Sequence, residues 1–464
     1  MSLPRPIGKQ REVLCLPAEG HTVVLGTAGS GKTTLAVLRS LYLTDPDTDH
    51  YGRTLLVTFN RCLVSYLESL FDDMPRDLDV RNYHRFARGY LNSRDKMPRD
   101  CICGPELERE LCAVAIQEAL AAGATSQVLS RPVELMVEEF RWLAQHGIKT
   151  SADYVAAGRV GRSGARILRV DRSEVFSVYE RYKELRSERG KEYDWEDLSH
   201  AVLDELAIDT NERMYRHIVI DEGQDLSPMA LRSLAAAVPK TGSLTFFGDM
   251  AQQIYGNKMS WRSAGLTVKQ VWPFEQNYRN TQQIARLALA IAKTPDFPDE
   301  PDLVEPKSPT ADGPLPALVE CSSEARELNF IAKLAARLGQ TGTVAVLFRD
   351  REQEDSFTKI LSVRATRLHR ELKSWPSGFG VFYGTYHAAK GLEFDAVILP
   401  QLSAERLPHP PDVEAFGQED AASRDSRLLY VGVTRAKSNL VLTYTGDLTT
   451  LLPVADGLYK RSSQ

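Results

Sequence analysis

The run Gly26-Thr27-Ala28-Gly29-Ser30-Gly31-Lys32-Thr33-Thr34 restricts the fold of this chain more than any other stretch. It fits a glycine, four residues, then Gly-Lys-Thr, and lies between two apolar runs, Val23-Val24-Leu25 and Leu35-Ala36-Val37-Leu38. That order predicts a strand, a tight loop and a helix, the unit of a parallel α/β sheet. In such a unit, backbone N–H groups at the helix start cradle phosphates. Lys32 is then expected to reach the β and γ oxygens, and the Thr33 hydroxyl to ligate Mg²⁺.

A triphosphate also needs a metal-binding carboxylate and a group that activates water. His217-Ile218-Val219-Ile220-Asp221-Glu222 is an apolar run ending in two acids, the pattern of a buried parallel strand that emerges at its C-terminal edge. Asp221 is expected to hold Mg²⁺ and Glu222 to polarise the attacking water.

With Asp221-Glu222-Gly223-Gln224-Asp225 the chain resembles the UvrD/Rep-like branch of superfamily 1 helicases. The other motifs of that branch follow in order: Leu56-Val57-Thr58-Phe59-Asn60, Asn82-Tyr83-His84-Arg85-Phe86, Phe247-Gly248-Asp249 through Gln252 to Tyr255, and Gln276-Asn277-Tyr278-Arg279. The last two are Thr385-Tyr386-His387-Ala388-Ala389-Lys390-Gly391-Leu392-Glu393 and Leu429-Tyr430-Val431-Gly432-Val433-Thr434-Arg435-Ala436. The resemblance implies roles for ATP: Gln10 reads adenine, Tyr278 stacks on it, Glu393 contacts ribose, Gln252 senses the γ-phosphate, and Arg279 and Arg435 reach that phosphate from a second lobe. It also implies that Phe59, His84, Tyr255, Trp261 and His387 line a single-strand path, with Phe59 and Trp261 as stacking faces.

The fold class expected is α/β, with two RecA-like P-loop NTPase domains and a helical insertion in the first. Residues 1–90 with 200–275 form the first, 91–199 the insertion and 276–464 the second. Strand-like runs at Thr22–Leu25, Leu55–Phe59, Val80–Tyr83, Ile218–Ile220 and Leu244–Phe247 are assigned to the first sheet. Those at Val344–Phe348, Val381–Tyr383, Ala396–Leu399 and Leu440–Thr443 go to the second. Helical periodicity marks Glu106–Leu120 and Val133–His146 in the insertion. Prolines from Pro295 to Pro316, and again in Leu407-Pro408-His409-Pro410-Pro411, predict two extended loops. Only about a hundred residues separate Arg279 from Thr385, and a second sheet uses most of them. The large second-lobe insertion of better-known family members is therefore expected to be missing.

Composition adds limits. No apolar run is long enough to span a bilayer, and the first residues lack a signal-peptide core, so no membrane partner and a cytoplasmic location are expected. Cys101-Ile102-Cys103 with Cys112 falls short of a four-ligand metal set. A net charge of −5 argues against a general basic coat but leaves room for a local basic track. Arg159, Arg162, Arg166, Arg169 and Arg172 recur every three or four residues. If helical, they share one side suited to phosphates, although Gly161 and Gly164 weaken that reading and a solvated face weighs equally.

Together these readings point to an ATP- and Mg²⁺-dependent translocase on single-stranded DNA that also engages forked duplex and unwinds it. The resemblance implies 3′-to-5′ direction. A rival stays open: a nucleic-acid-sensing ATPase subunit that controls a nuclease, polymerase or defence partner without processive unwinding.

Overall fold

The computed structural model describes residues 6, 9–26, 30–58, 61–69, 74–158, 167–249, 261–262, 264–274, 280–297, 311–369, 372, 375–376 and 378–464. Among these, the strands form two parallel sheets. The first contains β1 (Gly20–Gly26), β2 (Thr54–Thr58), β3 (Leu78–Asn82), β4 (His217–Ile220), β5 (Ser243–Gly248) and β6 (Val268–Phe274), in spatial order β3-β2-β4-β5-β1-β6. The second contains β7 (Ala317–Cys321), β8 (Thr343–Phe348), β9 (Ala365–Arg367), β10 (Gly380–Thr385), β11 (Phe394–Leu399), β12 (Ala436–Thr445) and β13 (Lys460–Ser463). Their order is β13-β7-β12-β11-β8-β10-β9.

Helices cover both sheets, so the central strands are buried on both faces and read as continuous apolar runs; β4 is buried throughout. Around the first sheet stand α1 (Lys9–Leu14), α2 (Lys32–Leu43), α3 (Arg61–Ser69) and α4 (Tyr83–Asn92). The chain then leaves the sheet for α5 (Pro105–Ala121), α6 (Val133–His146), α7 (Ser151–Ala156), α8 (Arg172–Glu188) and α9 (Leu198–Ile208), before returning through β4 to α10 (Pro228–Ala236). Around the second sheet stand α11 (Gln282–Ala292), α12 (Glu324–Leu338), α13 (Glu352–Ile360), α14 (Pro410–Phe416) and α15 (Gln418–Thr434). Local chemistry fixes several starts. The Asn82 side chain accepts the Arg85 N–H at 2.8 Å to cap α4. Ser227 caps α10 ahead of Pro228, whose fixed φ and missing donor suit the first helical position.

The helical segment has its own core, in which Leu111, Leu135, Met136, Phe140, Phe176 and Tyr182 are buried together. Another buried cluster runs between the lobes, from Leu35 and Leu63 beside the first sheet to Phe382, Phe394 and Leu399 in the second. Polar ties reinforce it: Cys62 Sγ donates to the His369 carbonyl at 3.0 Å, and Ser65 Oγ to the Leu372 carbonyl at 2.7 Å.

Three expectations need correction. β6, β7, β9 and β13 join the sheets beyond the strands assigned from sequence. β6 reads VKQVWPF and β13 reads KRSS, edge strands whose polar residues hide the apolar signal, and β9 has only three residues. The proline loop after Leu407 turns helical at Pro410, where α14 begins with proline in its first turn. Finally, the arginine row is not one helical face over its described part. Residues 168–171 form a turn that leaves Arg169 exposed, whereas Arg172 starts α8 and is buried. Its guanidinium donates to the Tyr154, Val155 and Ala157 carbonyls at 2.8, 3.1 and 2.7 Å, satisfying the end of α7 and leaving no reach toward a phosphate.

Candidate nucleotide site and strand contacts

Strand register brings the candidate residues to one edge. Leu25 of β1 pairs with Gly248 of β5, and Val57 of β2 pairs with Ile220 of β4. The phosphate loop, Asp249 and Asp221 therefore all leave the C-terminal ends of neighbouring parallel strands, where open α/β sheets bind ligands. Gly31 is left-handed at φ 89°, a conformation that favours glycine, and turns the loop into α2 so that its first N–H groups face that edge. Gln10 Nε2 reaches the Ser30 carbonyl at 3.4 Å, which places it against the loop. Thr27, Ala28 and Gly29 lie outside the described residues.

Lys32 is buried, donating to the Gly26 carbonyl at 2.8 Å and standing 3.5 Å from Asp249. Two features suit a cation with phosphate. Ser30 Oγ is buried without a hydrogen-bond partner among the described residues, as buried polar atoms rarely are, and both Asp221 carboxylate oxygens are buried beside the Thr33 hydroxyl with lone pairs to spare. Burial, then the neighbouring Glu222 charge, raises the Asp221 pKa; the Thr33 hydroxyl and Lys32 pull it down. Hard oxygen donors of this kind fit Mg²⁺.

Glu222 departs from regular backbone, with a left-handed φ of 53°. For a residue with a Cβ this costs on the order of 1–2 kcal/mol, and such strain collects at functional sites. Burial acts to raise its pKa, but the charges of Lys390, Lys32 and Arg435 outweigh burial and hold it below the usual value. Gln224 fixes the carboxylate: Nε2 donates to Glu222 Oε2 at 2.5 Å while Oε1 accepts the Asp249 N–H at 2.9 Å.

Lys390 comes from the turn after β10, in the second lobe. Its Nζ lies 2.6 Å from Asp225 Oδ1, both side chains almost wholly buried. Burial raises the Asp225 pKa to about 6 despite Lys390. Arg435 directly follows α15 and is buried, donating to the Val431 carbonyl at 3.0 Å, the Leu392 carbonyl at 3.3 Å and Thr434 Oγ1 at 3.1 Å. Glu393 is half-buried two residues past Gly391. Sequence reasoning quoted Gln224, Asp225 and Lys390 within motifs but gave them no role. The signal was available for Gln224 and Asp225, polar residues that follow the buried strand β4 and must find partners where they are buried.

Gln252, Tyr278 and Arg279 lie outside the described residues, as do Phe59, Tyr255, Arg162 and Arg166 of the expected nucleic-acid set. His84 sits half-buried in the first turn of α4, its ring edge-on to Trp195 at 5.1 Å. Trp261 is half-buried and packs edge-on against Phe246 at 5.1 Å, which gives part of its ring to the first-lobe core. His387 is half-buried; burial first, then the Arg349 and Lys390 charges, lower its pKa to about 4, so it is neutral at physiological pH.

Residues 8–271 match the UvrD/REP helicase N-terminal domain, and residues 379–447 match the UvrD-like helicase C-terminal domain. The chain belongs to the UvrD/REP helicase family. Members of this family are ATP-dependent DNA helicases, which makes the chain an ATP hydrolase of a DNA-binding family. The chain is 24% identical to the ATP-dependent DNA helicase UvrD2 of Mycobacterium tuberculosis over 557 aligned positions, covering 94% of this chain and 78% of that protein. It is 25% identical to the ATP-dependent DNA helicase PcrA of Leuconostoc citreum, over 59% of this chain and 37% of that protein. A DNA helicase II of Rickettsia typhi is 42% identical over 77 residues, covering 17% of this chain and 12% of that protein. The first alignment is longer than this 464-residue chain, so UvrD2 carries residues inside the matched span that this chain lacks. Among the described residues, no helix is long and apolar enough to cross a membrane.

Proposed function

We propose that this chain is a compact single-stranded DNA translocase that moves 3′ to 5′ and unwinds forked duplex. It is taken to be divided into a first RecA-like lobe at 1–90 and 200–275, an insertion at 91–199 and a second lobe at 276–464. The observation that carries the reading is the meeting of Glu222 with positive charge from both sides of the cleft, Lys32 from one lobe and Lys390 and Arg435 from the other.

ATP enters with adenine toward Gln10 and Tyr278, ribose toward Glu393, and phosphates over residues 26–34. Lys32 exchanges Gly26 and Asp249 for the β and γ oxygens. Thr33 and Asp221 would hold Mg²⁺, which supplies charge neutralisation at those oxygens. Glu222 accepts the proton of the attacking water; its depressed pKa keeps it ionised and Gln224 keeps it aimed. Arg435, with Arg279, leaves its backbone partners to stabilise charge on the transferring phosphoryl group, and Gln252 reports its presence. Closing and reopening of the cleft shifts two grips on the strand, one from Phe59, His84, Tyr255 and Trp261 and one from His387. Arg169, with Arg162 and Arg166, adds phosphate contacts from the insertion.

The shorter span relative to UvrD2 favours a second reading, in which the ATPase senses nucleic acid and controls a nuclease or other protein partner without unwinding. Strand displacement by the purified chain, with single-strand translocation measured in parallel, separates the two. Both activities are expected. Translocation without displacement favours the second reading, and failure of both overturns the translocase reading.

A further inference from the structure

The helical segment touches the second lobe at one place that the family motifs do not include. Arg424, in the second turn of α15, donates from both terminal nitrogens to Glu138 of α6, at 2.9 and 2.7 Å. Its guanidinium lies over the Phe416 ring at 3.8 Å from the centroid. Ala415 and Phe416, at the end of α14, are buried within the helical segment's own core rather than the second lobe's. Arg131 completes the contact by donating to the Ala415 carbonyl at 3.3 Å. A bidentate pair stacked on an aromatic ring fixes direction as well as distance.

Both ends of this contact run to the ATP site. On one side, α15 continues from Arg424 to Thr434 and is followed by Arg435. A straight helix spans that separation in roughly 16 Å, and most residues of this stretch are buried in the second lobe, so the two arginines move together. On the other side, α6 packs against α10, the helix that begins three residues after Asp225. A Cβ on Gly147, just past the end of α6, would stand 2.8 Å from Met229 Sδ, so these helices meet closely. His200 also bonds the Ala144 carbonyl at 2.6 Å, tying α9 to α6.

We infer that Glu138 and Arg424 are positioning residues for ATP hydrolysis: through α6 and α10 on one side and α15 on the other, they form a second tie across the cleft that sets where Arg435 stands relative to Asp221 and Glu222. The helical segment thereby becomes part of the ATPase. The inference rests on the functional reading above. Losing the tie leaves the phosphate loop intact but broadens the orientations of the second lobe, so the aligned state is occupied less often.

The test is steady-state ATP hydrolysis by the full chain with single-stranded DNA, in Glu138→Gln, Arg424→Gln, the double variant and Arg424→Lys. The two side chains are 30% and 28% exposed, so neither replacement strands a deeply buried charge. Each Gln variant is expected to lower kcat about tenfold, short of the ~100-fold that a misplacement of about 1 Å can cost, with KM for ATP within about twofold. The double variant falls no further than either single, and Arg424→Lys lies between. Unchanged kcat, multiplied effects in the double variant, or a change confined to KM overturns the inference. Hydrogen exchange without nucleotide reads the tie separately: faster exchange across 133–146 and 410–416 in Arg424→Gln is expected, and unchanged exchange there overturns it. Absence of ATP hydrolysis in the unmodified chain would instead overturn the functional reading.

Discussion

Two strand edges face each other across the cleft, and their chemistry is opposite. The first sheet delivers Asp221, Glu222 and Asp225 from β4 and Asp249 from β5; the second lobe delivers Lys390 after β10 and Arg435 after α15. All six are buried. Clustered acids removed from water repel one another and raise each other's pKa, as Glu222 does to Asp221. Lys390 and Arg435 from the other edge, together with Lys32 from the same lobe, reverse this for Glu222, and Lys390, by pairing, partly offsets it for Asp225. On the proposed reading, neither lobe holds a working site alone: the first brings cradle, metal donors, base and Lys32, and the second adds Lys390 and Arg435 to the charge that keeps the base ionised.

The largest expected effect breaks the acidic edge. Glu222→Gln keeps the shape and the Gln224 contact but cannot take a proton, so hydrolysis should fall by about 10²–10⁴-fold. Equilibrium binding of a fluorescent ATP analogue should be nearly unchanged. Near-normal turnover would remove Glu222 from the role of base.

Cutting the tie between the edges is expected to show in stability. Lys390→Ala leaves Asp225 buried and unpaired, and removing one partner of a buried pair costs about 3–5 kcal/mol. Thermal melting should record a large fall in Tm, with Asp225→Asn in the same background recovering much of it. The exposed Arg53–Asp79 pair offers the contrast: Arg53, 47% exposed, should cost no more than about 1 kcal/mol when replaced by Ala. Equal losses at both positions would contradict the burial argument.

An acidic group away from the cleft sharpens the comparison through pH. Glu196, ahead of α9, has its pKa raised to about 7, chiefly by burial and further by Glu108, against the opposing Arg141 charge. The folded chain thus holds this proton more tightly than the unfolded chain. Its stabilising contribution is present below the unfolded carboxylate range and is lost as pH rises toward 7. Glu196→Gln should flatten the dependence of Tm on pH between about 4.5 and 7; an unchanged profile would show that Glu196 does not contribute this way.

Much of the cleft was legible because its chemistry is local in sequence. Gly26 to Thr34 must lead from a strand into a helix, and Asp221-Glu222 must follow a strand, whatever the rest of the chain does. What stayed hidden depends on distant contacts. Nothing near Lys390 announces Asp225, and nothing near Arg424 announces Glu138; each pair is made by the packing of separate units. Periodicity failed where it was interrupted, at the polar edge strands β6 and β13, and where spacing imitated a helix, at Arg169 and Arg172, the described end of the arginine row.

That row gives the smallest expected effect. Arg169→Gln should reduce the log–log salt slope of single-strand binding by about 0.7, one phosphate contact. Arg172→Gln should instead lower Tm and leave the slope unchanged, since its partners are backbone carbonyls. A lower slope in Arg172→Gln, or an unchanged one in Arg169→Gln, would reverse that division.

The most direct test of a site shared between lobes is ATP turnover by Arg435→Ala with saturating single-stranded DNA, measured alongside its DNA affinity without nucleotide. An arginine brought to the γ-phosphate from a second lobe should be worth about 10³-fold or more, so turnover should collapse while DNA affinity stays within about twofold. Normal turnover, or a loss that lies in DNA affinity instead, would contradict the account.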